Sequence, residues 1–308
     1  MSEIPSAIKQ DFRNAKKLEW WTLGWMGSVV VVMYFTMGAS QAMKTALFED
    51  VLSLVPAMTF LVSAHLEPRA PTEKFPYGFL RANSLAFLGS SVVLTFLGLF
   101  LAYTNGMGLM KGEHPTVGPV TMFGETIWLG WLMIAALVYS VVPPVILGRL
   151  KQPIAQRISD KVLYTDSLMQ KADWQTGLAG IAGIVGIGLG LWWADSLAAL
   201  LISISIVKDG ITATRSASAE LLDGAPRRLE GSGVSEEAVR LQDRLQQRWP
   251  EGRIRLRESG RYILASVDGI ETPGEIPPAE ELMDPGRSWR LGRLSFTPHG
   301  KEDPAHHR

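Results

Sequence analysis

Apolar residues are concentrated in the first two thirds of the chain, where they form long runs separated by short polar loops. A helix needs about 20 apolar residues to cross the ~30 Å hydrocarbon core of a bilayer. The pattern predicts six such spans, near residues 19–39, 45–64, 82–103, 123–147, 170–193 and 195–213. We therefore expect an all-α transmembrane bundle of six helices.

Positive charge alternates from loop to loop. Lys and Arg are frequent in residues 1–18, 65–81 and 149–161, whereas the alternate loops hold only Lys44 and Lys111. Because cytoplasmic loops carry the excess of Lys and Arg, both termini are predicted to be cytoplasmic. The expected location is a bacterial-type inner or plasma membrane.

The polar last third of the chain predicts a small folded domain. Ser235 can cap a helix with an apolar stripe, residues 253–257 and 261–267 are typical of a hairpin, and a short helix and a strand follow. This α-β-β-α-β order predicts a ferredoxin-like α+β domain in the cytoplasm. The predicted divisions are a cytoplasmic tail (1–18), a transmembrane domain (19–222), the cytosolic domain (223–296) and a disordered tail (297–308).

Composition excludes several function classes. The formal net charge is zero, so no overall basic field favours nucleic acid. The chain has no cysteine, which excludes thiolate metal ligands and disulfides. No nucleophile beside a base and no phosphate-binding glycine loop stands out, so an intramembrane enzyme is the weakest hypothesis.

Two acids interrupt the second span. Glu49 and Asp50 are adjacent near one end of an apolar run, and Ser53 lies one turn beyond Glu49. A carboxylate within a bilayer costs a few kcal/mol on insertion scales, so such residues normally face a partner, a cavity or an ion.

A second acidic face leads into the fifth span. Asp166, Met169 and Asp173 have i, i+3, i+7 spacing and therefore share one helical face. Carboxylates from two facing helices would form an oxygen-rich site for a divalent cation. Alternatively, Lys171 pairs with Glu49 or Asp50 in a structural salt bridge, and Asp166 is a surface charge near a helix N-terminus.

Three sequence motifs resemble those of one transporter family. KFPYGFLRAN (74–83), WADSLAALLIS (193–203) and ELLDGAP (220–226) are similar to segments of the cation diffusion facilitator family of metal/proton antiporters. The order of the spans, the acidic cluster and the cytosolic domain fit the same resemblance. It implies secondary transport of a divalent cation, with no prosthetic group, by a homodimer.

The resemblance also implies ligand positions. In the family, two ligands four residues apart on span two and two on span five hold the ion. Asp173 and Met169 fall on the span-five pair, and Glu49 and Ser53 fall on the span-two pair. A one-residue difference in the loop would instead select Asp50 with Leu54. The expected metal residues are Asp173, Asp50, Glu49, Ser53 and Met169, with Asp166 as a weaker candidate.

The departures from the family pattern affect the choice of metal. Phe75, Phe79 and Asn83 replace a family His or Glu in the 74–83 loop, so no metal site is expected there. Without a span-five His, the donors suit Mn²⁺ or Fe²⁺ as well as Zn²⁺. A buried carboxylate would then have to carry the exchanged proton.

Two hypotheses of function follow. The preferred one is an exporter that moves a divalent metal of the Zn/Mn/Fe class out of the cytoplasm in exchange for protons. The alternative is a degenerate, non-transporting scaffold or partner subunit with the same fold.

Overall fold

A computed structural model describes residues 4–36, 41–112, 119–122, 125–188, 193–231 and 233–298. The first part of the chain is a bundle of long helices: α1 (Ser6–Thr36), α2 (Gln41–Leu52), α3 (Leu54–Leu66), α4 (Ala82–Lys111), α5 (Leu129–Ile158), α6 (Lys161–Gly188) and α7 (Ala194–Leu221). Two short antiparallel strands, β1 (Pro119–Met122) and β2 (Glu125–Trp128), lie between α4 and α5.

Several helices begin at other residues than the hydrophobic pattern predicts, and α1 and α5 show the physical reasons. α1 begins at Ser6, so most of the predicted tail is helical, because Ile8, Phe12 and Ala15 pack against a core of the other helices. α5 begins at Leu129 and not at residue 123, because residues 125–128 pair as a strand.

Three helical stretches of the described residues are long and apolar enough to cross a membrane by length and composition. They are Leu47–Leu66, Ala82–Lys111 and Gly130–Ile158. α1 and α6 carry buried charged side chains, which lowers their hydropathy. The presence of apolar spanning helices is therefore confirmed, whereas the count of six spans stays a prediction.

The hydrogen-bond pattern of the second predicted span is interrupted between α2 and α3, although Ser53 keeps helical backbone angles (φ −68°, ψ −13°) and its N–H donates to the carbonyl oxygen of Glu49 at 3.0 Å. Pro56 accounts for this interruption, because it has no N–H to donate to the carbonyl of Leu52. The Ser53 hydroxyl also donates to the carbonyl oxygen of Asp50 at 2.8 Å, a type of bond that bends helices. Two helical segments therefore meet immediately after Glu49 and Asp50.

Glycines bring neighbouring helices into close backbone contact. A Cβ added to Gly98 of α4 would lie 2.7 Å from the backbone nitrogen of Val207 in α7. Gly177 of α6 likewise has no room for a Cβ beside Val141 of α5. Glycines at helix contacts let two helices lie close together, as in other membrane helix pairs.

The last part of the chain forms the small three-stranded domain that the sequence predicts. Its elements are α8 (Glu236–Arg248), β3 (Arg253–Ser259), β4 (Tyr262–Asp268), α9 (Ala279–Leu282) and β5 (Leu291–Thr297). The strand order is β3-β4-β5, with β3 antiparallel and β5 parallel to β4. The description as ferredoxin-like stays a prediction, and most of the predicted tail 297–308 lies outside the described residues.

The predicted cap and stripe of α8 are both present. The backbone N–H of Ala238 donates to the Ser235 hydroxyl at 3.2 Å, which satisfies one of the free N–H groups at the helix start. Leu241 and Leu245 are buried in one cluster with Ile263 of β4.

The three-stranded domain is joined to the helix bundle by buried ion pairs. Arg261, in the turn between β3 and β4, pairs with Glu67 after α3 and with Asp160 before α6. Its guanidinium also lies 4.6 Å from the centre of the Phe12 ring. These four side chains come from distant parts of the sequence, so Arg261 fixes the position of the hairpin on the bundle.

A second buried network lies beside the first. Lys161 of α6 contacts Glu220 of α7 at 2.9 Å and also pairs with Glu258 of β3. The pKa of Glu220 is raised above its usual value, mainly because the side chain is buried. The positive charge of Lys161 offsets part of this rise. At the surface, Arg81 pairs with Asp223 at the junction between the two parts of the chain.

We expect Arg261→Met to destabilise the whole chain. The substitution leaves the carboxylates of Glu67 and Asp160 buried without a cation, which costs about 3–5 kcal/mol of folding free energy. Arg255→Met is the matched control, because Arg255 makes an exposed pair with Asp268 that is worth about 0–1 kcal/mol. Thermal unfolding of the detergent-solubilised protein measures both, and equal melting temperatures would contradict the prediction.

Candidate metal centre

The acids of the second and fifth predicted spans are buried inside the helix bundle. Glu49 and Asp50 lie in the last turn of α2, and Asp173 lies within α6. Their exposed fractions are only 6%, 7% and 8%. Three carboxylates withdrawn from water carry a large desolvation cost unless something compensates their charge.

A side-chain hydrogen bond joins α2 to α6. The hydroxyl of Thr176, one turn after Asp173, lies 2.7 Å from Oε1 of Glu49 and 3.0 Å from the carbonyl oxygen of Ala172. Thr176 therefore holds the Glu49 carboxylate beside the face of α6 that carries Asp173. The sequence analysis missed this residue, although it lies three positions after Asp173 on the same helix.

Among the described residues, the carboxylate oxygens of Asp173 accept no well-formed hydrogen bond, although the Ser53 hydroxyl lies close enough to act on them. Oδ2 of Asp50 is also unpartnered within the same residues. Ser53 is fully buried next to them, but its hydroxyl donates to the carbonyl oxygen of Asp50. Unpartnered buried oxygens of this kind are the groups that a bound cation would satisfy.

The three carboxylates influence one another without forming a closed coordination shell. The charges of Glu49 and Asp50 both act on Asp173. Among the residues that the structure describes, however, no three His, Asp or Glu side chains converge closely enough to hold one ion.

Met169 and Asp166 are occupied by other contacts. Met169 is fully buried in an apolar cluster with Leu94 and Leu97 of α4. Asp166 forms an ion pair with Lys151 of α5. In this structure Met169 packs among apolar side chains and one oxygen of Asp166 pairs with Lys151, so the ligand set that we propose below is built from the other candidates. The roles of Met169 and Asp166 as ligands stay predictions.

Lys171 lies on a different face of α6 from the acids. Its side chain is exposed and lines a polar cavity of about 370 Å³ with Tyr164 and Asp209. Within the described part of the chain, no salt bridge joins Lys171 to Glu49 or Asp50. The alternative of a structural salt bridge at this position therefore has no support in the geometry.

The 74–83 loop has a structural role. The rings of Phe75 and Phe79 pack with their centres 4.8 Å apart. The amide of Asn83 donates to Oδ2 of Asp160 at 3.2 Å, next to the Arg261 ion pairs. The three residues that depart from the family motif thus make packing and hydrogen-bond contacts.

A family model and several known proteins match this chain. The model of the cation efflux transmembrane domain matches residues 22–222. The manganese efflux system protein MneS of Bacillus subtilis (strain 168) is 21% identical over 185 residues, which are 60% of each protein. A probable cation efflux system protein of Mycobacterium tuberculosis is 27% identical over 200 residues, covering 64% of this chain and 56% of the relative.

A third relative is the magnetosome protein MamB of Magnetospira sp. (strain QH-2), which is 22% identical over 178 residues, or 57% of this chain and 56% of the relative. The matched part thus spans between 56% and 60% of the length of these three relatives.

We expect Thr176→Val to weaken metal binding about tenfold, because residues that orient a ligand typically contribute 10- to 100-fold in affinity. Thr176→Ser keeps the hydroxyl and should bind metal as the wild type does. Thr95→Val is a control for the loss of an interhelical hydroxyl contact, since Thr95 meets Thr214 at 3.0 Å in another part of the bundle. Calorimetric titration of the detergent-solubilised protein with Mn²⁺ measures the three affinities, and an unchanged affinity in Thr176→Val would remove Thr176 from the site.

Proposed function

The chain belongs to the cation efflux family, whose members are transporters and not enzymes, and on this premise we propose that it exports a divalent metal cation in exchange for protons. The cation would move out of the cytoplasm, with both chain termini on the cytoplasmic side. The protein would act as a homodimer with six spanning helices in each protomer.

The observation that carries the proposal is the set of buried carboxylate oxygens without partners, on Asp173 and Asp50. A carboxylate retained in a helix bundle without a cation has a high free energy, so its position is best explained by an ion that it binds during the transport cycle. Glu49, fixed by Thr176, and the hydroxyl of Ser53 would complete the donor set.

The donor chemistry favours the harder members of the Zn/Mn/Fe class. The proposed ligands supply only oxygen atoms, and Met169 is occupied by apolar packing. Carboxylate, hydroxyl and water ligands suit Mn²⁺ better than they suit a cation that prefers imidazole or thiolate. The relative MneS is a manganese efflux system protein, which agrees with this ranking.

The interruption at Ser53 supports a mechanism for binding and release. Since the acids do not converge around one point, the end of α2 would close onto α6 when the metal binds. The hydrogen bond that is missing at Pro56 would be the point at which α2 bends relative to α3. Rocking of the bundle would expose the site to the other side, where protonation of the same carboxylates releases the metal.

Among the described residues, no three acidic or histidine side chains surround one point. This observation favours a second candidate function, a scaffold or partner subunit that transports nothing. A scaffold would keep the buried pairs of Arg261 and Lys161 but would have no use for an unpaired Asp173. Asp173→Asn distinguishes the two functions, because the amide removes the charge and keeps the size of the side chain. A transporter should lose metal flux in this variant, whereas a scaffold has no flux to lose.

We expect Asp173→Asn to abolish metal flux and to leave the fold intact. The measurement is Mn²⁺ uptake into proteoliposomes driven by an imposed pH gradient, with Zn²⁺ and Fe²⁺ in parallel. Lys171→Gln and Asp11→Asn are controls, because Lys171 faces away from the acids and Asp11 pairs with Arg157 outside the site. Absence of flux for every ion in a well-folded wild type would favour the scaffold.

A further inference from the structure

Three ionisable side chains meet inside the bundle at a second place. Lys151 of α5 donates to Oε2 of Glu19 in α1 at 2.9 Å and to Oδ2 of Asp166 in α6. The three side chains have no exposed surface. We call them the Lys151 triad. The sequence analysis counted Lys151 only as a loop charge, because its partners are distant in the sequence.

The triad carries one uncompensated negative charge when all three groups are ionised, since two carboxylates surround a single ammonium. One oxygen of each carboxylate, Oε1 of Glu19 and Oδ1 of Asp166, has no hydrogen-bond partner among the described residues. A buried cluster with a net charge is strongly unfavourable in a medium of low dielectric constant. One further positive charge, which a proton can supply, would make the triad neutral.

The triad is connected to the proposed metal site along one face of α6. Asp166, Gln170 and Asp173 have i, i+4, i+7 spacing, so they share this face and Asp173 lies ~10 Å along the helix axis from Asp166. Gln170 is fully buried, and neither its amide nitrogen nor its oxygen has a partner within the described residues.

From this geometry we infer that the Lys151 triad carries one of the protons that are exchanged for metal, bound at Oε1 of Glu19. The inference rests on the proposed function and adds a proton site that is separate from the metal ligands. According to this inference, Glu19 and Asp166 do not bind the metal, and their ion pairs with Lys151 serve proton binding as well as the fold.

The step at the triad balances in protons: one proton leaves Glu19 for each cation that binds, and one returns after the cation is released. With the metal site empty, Glu19 is a neutral carboxylic acid beside the Lys151–Asp166 pair. Binding of a divalent cation at Asp173 repels the proton, which leaves Glu19 for the cytoplasm and restores its carboxylate. Release of the cation outside allows a proton from outside to return along the α6 face past Gln170. The charged groups that act on Glu19, within the described residues, are Lys151 and Asp166.

The test counts protons per metal ion in proteoliposomes. Mn²⁺ influx is measured together with the change in lumenal pH reported by an entrapped dye, for the wild type and for Glu19→Gln. The glutamine imitates the protonated acid and keeps an acceptor for Lys151. We expect metal flux to continue with one proton fewer per Mn²⁺. Asp11→Asn, the same type of substitution in an exposed pair of α1, should keep the wild-type ratio.

Asp166→Asn provides an independent variant. It removes the other carboxylate, which leaves a neutral Lys151–Glu19 pair with no need for a proton, so it should lose the same single proton. Calorimetry in buffers of different ionisation enthalpy measures protons released per Mn²⁺ bound, and this number should also fall by about one in both variants. This second readout does not require transport.

The outcomes separate the two proposals. A wild type that moves no metal would overturn the proposed function. A wild type that exchanges Mn²⁺ for protons, with the same ratio in Glu19→Gln or in Asp166→Asn, would overturn the triad inference and leave the transporter intact. A lower melting temperature with an unchanged proton ratio would make the triad a structural ion pair.

Discussion

The cost of placing a carboxylate in a medium of low dielectric constant governs this structure. Every buried acid of the described residues has to be compensated by a cation, by hydrogen bonds or by a proton, because water is not available to it. Glu67, Asp160 and Glu258 are compensated by arginine or lysine side chains. Asp173 has no such partner, and this difference separates the acids that hold the fold together from the acids that we assign to ion binding.

The distribution of the two kinds of acid follows the architecture. The fully paired acids lie where the three-stranded domain meets the helices, and their cations come from both parts of the chain. The unpaired acids lie deeper, between α2 and α6, where no lysine or arginine of the described residues reaches them. Asp166 of the Lys151 triad lies in α6 between Lys161, at the domain junction, and Asp173. In the triad, two acids share one lysine, and one oxygen of each acid has no partner among the described residues. A single helix, α6, thus contributes to all three environments.

Much of the fold could be predicted from the sequence, because hydrophobic length and capping are local properties. The helices, the cap at Ser235 and the α-β-β-α-β order needed no knowledge of distant contacts. The early start of α1 was missed because Phe12 and Ala15 alternate with charged residues and become apolar anchors only when the other helices surround them. In the candidate site, charge inside an apolar run selected Asp173, Glu49 and Asp50 as candidates, and the structure shows that all three are buried. Spacing alone could not show that Met169 packs against α4, that Thr176 reaches Glu49, or that Lys151 enters the bundle, since each depends on how the helices are arranged around each other.

The turn between α5 and α6 has a consequence for the divergence of this sequence. Only Ser159 and Asp160 separate the two helices, and Ser159 adopts a left-handed backbone conformation with φ of 52°. Arg287 binds the Ser159 hydroxyl at 2.6 Å, and Arg261 binds the neighbouring Asp160. An inserted residue would shift the register of both contacts and turn the start of α6 by about 100°. Evolution can lengthen many surface loops at little cost, but the length of this turn is fixed by the two arginines that bind it.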